Sequence, residues 1–112
     1  PVIKQTATLN EALFSMTGGR LGMTVVVDED SRVVGVFTDG DLRRSLEKQL
    51  LLTSSIQEVM STNPKTVKPS MRASDALSLM NERKISQLLI LNDDNTLAGI
   101  LTLHDLLQAG VN

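Results

Sequence analysis

A chain of 112 residues with 41% apolar and 21% charged side chains and a net charge of −2 is about one domain long, enough to bury roughly two-thirds of its unfolded surface. It has no basic field for nucleic acid, only Phe14 and Phe37 as stacking aromatics, and no apolar run near the roughly 20 residues of a membrane span. With no cysteine and a lone His104 it has neither a disulfide frame nor the usual zinc ligands, so no metal and no cofactor are expected, and a reducing cytoplasm suits it.

The chain opens on Pro1-Val2-Ile3 without Met or signal peptide, reads as a piece of something longer, and has its first strand at once. Thr8 with Glu11 three residues on is a capping box, and it starts a helix with Leu9, Leu13 and Met16 at helical spacing, ended by Gly18-Gly19. Residues 24–27 are an apolar, β-branched strand, Asp28-Glu29-Asp30-Ser31 a turn, residues 33–38 a second strand, and residues 41–48 a closing helix. Leu50-Leu51-Leu52 leads to a further capping box, Ser55-x-x-Glu58, which predicts a short helix over residues 56–60 and a connector that packs rather than dangles. Beyond it come a helix over residues 73–83, a strand over 88–91, the turn Asn92-Asp93-Asp94-Asn95, a strand over 97–102 and a helix ended by Gly110. Met16, Met60, Met71 and Met80 read as core or near-core filler.

The order strand, helix, strand, strand, helix is thus written twice. Laying residue n on n+64 aligns residues 33–42 with 97–106 without a gap, and the register holds upstream from Ile3 on Val67 to Asp30 on Asp94. Repeats of this kind bury their apolar faces against one another. The expected organisation is a first repeat over residues 1–48, a packed connector over 49–59 and a second repeat over 60–112.

Both copies carry Gly-h-h-Thr-x-x-Asp, with h apolar, at a strand-to-helix junction: Gly35, Thr38 and Asp41, then Gly99, Thr102 and Asp105. A nucleotide needs such groups. Gly admits a ligand to the strand backbone, Thr offers a hydroxyl, Asp accepts from a ribose diol, and the helix start favours a phosphate. The alternative is purely structural, because Thr-x-x-Asp at a helix start is close to a capping box.

On these residues the chain resembles a tandem pair of CBS domains along essentially its whole length. Leu21-Gly22-Met23-Thr24, the run Phe37-Thr38-Asp39-Gly40-Asp41-Leu42-Arg43-Arg44 and the ending His104-Asp105-Leu106-Leu107-Gln108-Ala109-Gly110 are similar to the C-terminal CBS pair of bacterial D-arabinose-5-phosphate isomerases. The resemblance implies an α/β (α+β) fold of two βαββα repeats, packed as a pseudo-two-fold pair with two three-stranded sheets, and association into homodimers. It also implies two clefts. One takes Thr38, Gly40 and Asp41 with Ser61, Thr62, Asn63, Pro64, Ile85 and Ser86; the second takes Leu21, Gly22, Thr102, His104 and Asp105. The first is the preferred ligand site, since the second lacks the counterpart of residues 61–64.

The function the resemblance implies is a regulatory sensor of a nucleotide or nucleotide-sugar, with no catalytic residues of its own. It would serve an N-terminal sugar-isomerase domain that converts D-arabinose 5-phosphate to D-ribulose 5-phosphate for the eight-carbon acid sugar Kdo of lipopolysaccharide or capsule. CMP-Kdo is the expected feedback ligand. The alternatives are an adenylate such as AMP or ATP and a ligand-free dimerisation scaffold. Adenylate-sensing pairs often place a basic residue at the second-strand entrance, where this chain has Gly22-Met23 and Ser86-Gln87. Arg20, Lys84, Arg43 and Arg44 are the candidate cations for a phosphate, with solvated surface the preferred reading of each.

Overall fold

Thr8 and Glu11 close the capping box the spacing predicts: the Glu11 carboxylate accepts from the Thr8 N–H and hydroxyl, and the Glu11 N–H donates to Thr8 Oγ1. Helix α1, Leu9–Gly19, begins there in a computed structural model that describes residues 1–19 and 21–111. The chain forms two compact units, Pro1–Asn63 and Pro64–Asn112.

In the first unit β1 (Val2–Lys4), β2 (Met23–Val27) and β3 (Val33–Thr38) form one sheet in that order, β1 parallel and β3 antiparallel to β2. A parallel pair needs a crossover, which α1 supplies. Strand β2 is buried at all five residues, which is why it reads as an unbroken apolar run apart from Thr24. The Thr24 hydroxyl is satisfied by Ser15 at 2.7 Å. Helix α2, Asp39–Glu47, starts two residues earlier than the sequence predicts, because Thr38 is itself the N-cap. The core gathers Leu9, Ala12 and Met16 from α1, Val26 and Phe37 from the sheet, and Ile56 from the connector.

The connector is laced to the unit by its backbone: the Leu9 N–H donates to Ser54 O, Asn10 N–H to Leu52 O and Ile56 N–H to Ala7 O. Leu50, Ile56, Val59 and Met60 pack inward, but Leu51 and Leu52 stand 71% and 52% exposed. The predicted helix over residues 56–60 is only a 3-10 turn, Ile56–Glu58, where Ser55 Oγ accepts from the Gln57 N–H at 3.2 Å and no reciprocal Glu58 contact forms.

In the second unit β4 (Thr66–Val67), β5 (Gln87–Leu91) and β6 (Leu97–Thr102) repeat the first sheet, with α3 (Ala73–Arg83) as the crossover and α4 (Leu103–Gln108) at the end. The offset of 64 relates every pair of the second sheet to one of the first: Val2↔Val25 becomes Thr66↔Leu89, Met23↔Thr38 becomes Gln87↔Thr102, and the irregularity at Val26/Val27 recurs at Ile90/Leu91, while Lys4↔Val27 has no counterpart because β4 is one residue shorter than β1. The core is Val67, Ala76, Leu77, Met80, Leu88 and Leu106. Met71, expected inside, is 39% exposed on the turn before α3. Among the described residues no helix is long and apolar enough to cross a membrane.

Candidate functional site

At the N-terminus of α2 the backbone of Thr38 is extended (φ −118°, ψ 173°), which aims its side chain at the first free amides of the helix. Thr38 Oγ1 accepts from the Asp41 N–H, while Asp41 Oδ2 accepts from the Thr38 N–H at 3.0 Å and the Thr38 hydroxyl at 3.1 Å. The other oxygen, Oδ1, accepts from the Ser61 hydroxyl at 2.8 Å and from the Arg44 guanidinium. Asp41 is 2% exposed, and all four lone-pair directions of its carboxylate are taken. Ser45, also buried, donates its hydroxyl to Asp41 O at 2.8 Å.

Ser61 reaches Asp41 because the chain at that point is bonded to β3 in both directions, Val36 N–H to Ser61 O at 2.9 Å and Ser61 N–H to Val36 O at 2.8 Å. Gly35 makes room for it: a Cβ there would lie 2.7 Å from Ser61 O and 3.0 Å from Met60 Sδ. The close approach that the motif's glycine permits is thus filled by the protein's own backbone. Beside the network lies a cleft of about 240 Å³ whose lining includes Arg44, Lys48, Glu58 and Ser61. That is below the roughly 300 Å³ of ordinary small-molecule sites, room for a fragment of a nucleotide.

The second copy of the motif is built alike and left open. Thr102 caps α4, accepting from the Asp105 N–H at 3.0 Å. The Asp105 side chain is exposed and its carboxylate bonds no described residue, while the nearest atom to a Cβ at Gly99 is Ile90 Cδ1 at 4.0 Å. His104, exposed in the first turn of α4, joins no metal-binding cluster among the described residues. Gly99→Ala should therefore change stability by less than about 0.5 kcal/mol. Gly35→Ala, pressed against backbone, should cost about 1–3 kcal/mol. Urea melts of the two variants measure the difference.

The structure thus joins Thr38, Asp41 and Ser61 directly, with Gly40 in the first turn of α2. Thr62 and Asn63 follow, exposed, in the same unit, and Pro64, Ile85 and Ser86 belong to the second, where Ile85 packs on the core and Ser86 is exposed. Leu21 and Gly22 lie half-buried before β2. Gly22 O accepts from the Asp39 N–H at 3.1 Å and Ser86 O from the Leu103 N–H at 2.8 Å, so each second-strand entrance seats the helix start of its own repeat. Gly22 adopts φ +68°, which favours glycine, and a Cβ there would meet Asp39 Oδ2 at 2.8 Å. Those carbonyl contacts leave no mark in the sequence, being made by backbone. The role of Arg44 does leave one: the spacing Asp41-x-x-Arg44 puts an acid and a base on one helix face. Arg43 is exposed and bonds no described residue, Lys84 is exposed and ends α3 in the left-handed conformation, and Arg20 lies outside the described residues.

The family model of the CBS domain matches residues 1–48 and 56–112. Arabinose 5-phosphate isomerase KdsD of Pseudomonas aeruginosa is 42% identical over 112 residues, a match covering 99% of this chain and 34% of the relative. The chain therefore spans about a third of the length of such relatives. Among solved structures, CBSX2 in complex with AMP superposes with a TM-score of 0.83 at 26% identity, over 98% of this chain and 86% of that one. A conserved protein from Pyrococcus horikoshii gives 0.82 at 30% identity, over 99% and 84%. Two βαββα repeats in one register, each with Gly-h-h-Thr-x-x-Asp at the same junction, and a family match across nearly every residue place this chain in the CBS domain family.

Proposed function

We propose that this chain is the nucleotide-sensing regulatory part of an arabinose 5-phosphate isomerase, and not itself the catalyst. The observation that carries the reading is the motif written twice at equivalent strand-to-helix junctions. The isomerase relative matched along the whole chain and the AMP-bound CBSX2 support it. Thr38, Gly40 and Asp41 are the proposed ribose-phosphate contacts, with residues 62 and 63 beside them and Thr102, His104 and Asp105 as the second set. The preferred ligand is CMP-Kdo, the activated sugar at the end of the isomerase's pathway: its ribose diol suits an aspartate, its single phosphate needs little positive charge, and its carboxylate suits the unpaired Arg43. Adenylates are the competing ligands.

Thermal denaturation against CMP-Kdo, CMP, AMP and ATP tests this. A nucleotide at 100 times its Kd stabilises by about 2.7 kcal/mol. A shift with the cytidylates alone is the expected result, a larger shift with adenylates reverses the ligand, and no shift with any of the four defeats the sensor.

A homodimer is the second part of the reading, favoured by the exposure of Phe14 on α1 (73%), Leu46 on α2 (65%) and Leu107 on α4 (56%). Sedimentation of the chain at high micromolar concentration should give a dimer, and a monomer there counts against it.

A further inference from the structure

The Asp41 carboxylate offers an incoming diol no vacancy: two donors from Thr38 fill Oδ2, and Ser61 and Arg44 fill Oδ1. Resting on the nucleotide reading above, we infer that Ser61 is a latch on the first motif, its hydroxyl holding the acceptor site that a ligand's hydroxyl must take.

Of the four donors, Ser61 is the one that can yield at least cost. The Thr38 N–H and hydroxyl belong to the cap of α2 and are held by its backbone. Arg44 is a charged donor, and a charged hydrogen bond is the harder to exchange for a neutral one. The Ser61 hydroxyl is neutral and turns about a single bond. Its backbone cannot wander, being bonded twice to Val36 with Gly35 beneath it, so rotation of the side chain opens Oδ1 without unpicking the strand.

The second motif differs in the residues of its own helix. The register partners of Arg44 and Ser45 are Gln108 and Ala109, which carry neither the cation nor the hydroxyl, and Asp105 is exposed with no donor on its carboxylate among the described residues. Among the described residues the latch is found on the first motif. Its energetic consequence is a tax on binding. If only a fraction of molecules has Ser61 turned away, the apparent affinity falls by that fraction. Occupancy of Asp41 is reported in turn at residue 61, just before the chain enters its second unit at Pro64.

The test is calorimetric titration of the 112-residue chain and of Ser61→Ala with CMP and with AMP. The latch predicts that Ser61→Ala binds about five- to tenfold tighter, the worth of one hydrogen bond, and that Ser61→Thr, which keeps the hydroxyl, returns to the original affinity. Amide spectra of Val36 and residue 61 establish that both variants keep the β3 bridge. Unchanged or weaker binding by Ser61→Ala overturns the latch while leaving the sensor intact, since Ser61 would then be idle or a ligand contact. Failure of the parent chain and both variants to bind either nucleotide overturns the sensor reading, and the latch with it.

Discussion

Asp41→Ala should destabilise the first unit by about 2–4 kcal/mol, because it removes a buried carboxylate that receives four hydrogen bonds and leaves the Thr38 amide and the Ser61 hydroxyl without their acceptor. Asp105→Ala, at the same place in the repeat, should change stability by no more than about 0.5 kcal/mol, since that side chain is exposed and accepts nothing from a described residue. The contrast isolates environment from sequence. Urea unfolding, with hydrogen exchange of the α2 and α4 amides to locate the loss, measures it. Equal losses at the two sites would mean that the Asp41 network contributes little beyond an ordinary cap.

Phe37→Ala should cost about 3–5 kcal/mol, the usual range for emptying a fully buried aromatic site. Phe37 is 0% exposed and is the largest side chain sealed within the first core, where it meets residues of α1, β2 and the connector. Its register partner Leu101 is only half-buried, so Leu101→Ala should fall at the low end of the range for such truncations, about 2 kcal/mol. Both are read from the same unfolding curves. A Phe37→Ala loss below that of Leu101→Ala would contradict the core described for the first unit.

Much of the fold is legible without coordinates, for local reasons. The capping box at Thr8 sets where α1 begins. The helical spacing of Ala76, Leu77 and Met80 marks α3, which spans the expected residues 73–83, and Lys84 ends it in the left-handed conformation that the helix terminus needs. The Asp-rich and Asn-rich turns return the strands through Ser31 and Asn95, both at positive φ and both at the same place in the repeat. Because pairing in a sheet follows register, a repeat at one fixed offset implies two sheets paired alike, and the antiparallel pairs match one for one down to the irregularity at Val26/Val27 and Ile90/Leu91. The connector was less legible. Apolar composition alone says that Leu50, Leu51 and Leu52 should bury, yet a turn has no period that repeats a face, and only Leu50 finds the core.

The residues alone therefore determined two copies of one supersecondary unit, their elements, their pairing and the twin Gly-h-h-Thr-x-x-Asp sites, since these depend on spacings of two to four residues and on one repeat length. The difference between the copies was decided in three dimensions. Asp41 and Asp105 each stand three residues after a threonine that caps its helix, though Arg44 and Ser45 beyond Asp41 give way to Gln108 and Ala109 beyond Asp105. Asp41 is buried and fully bonded because Arg44 joins it from its own helix and a serine hydroxyl arrives from 20 residues away, carried there by a bridge to β3 that only a glycine at position 35 allows. No local pattern encodes that meeting. It depends on where the folded chain brings a distant segment back, and that return locks the first motif.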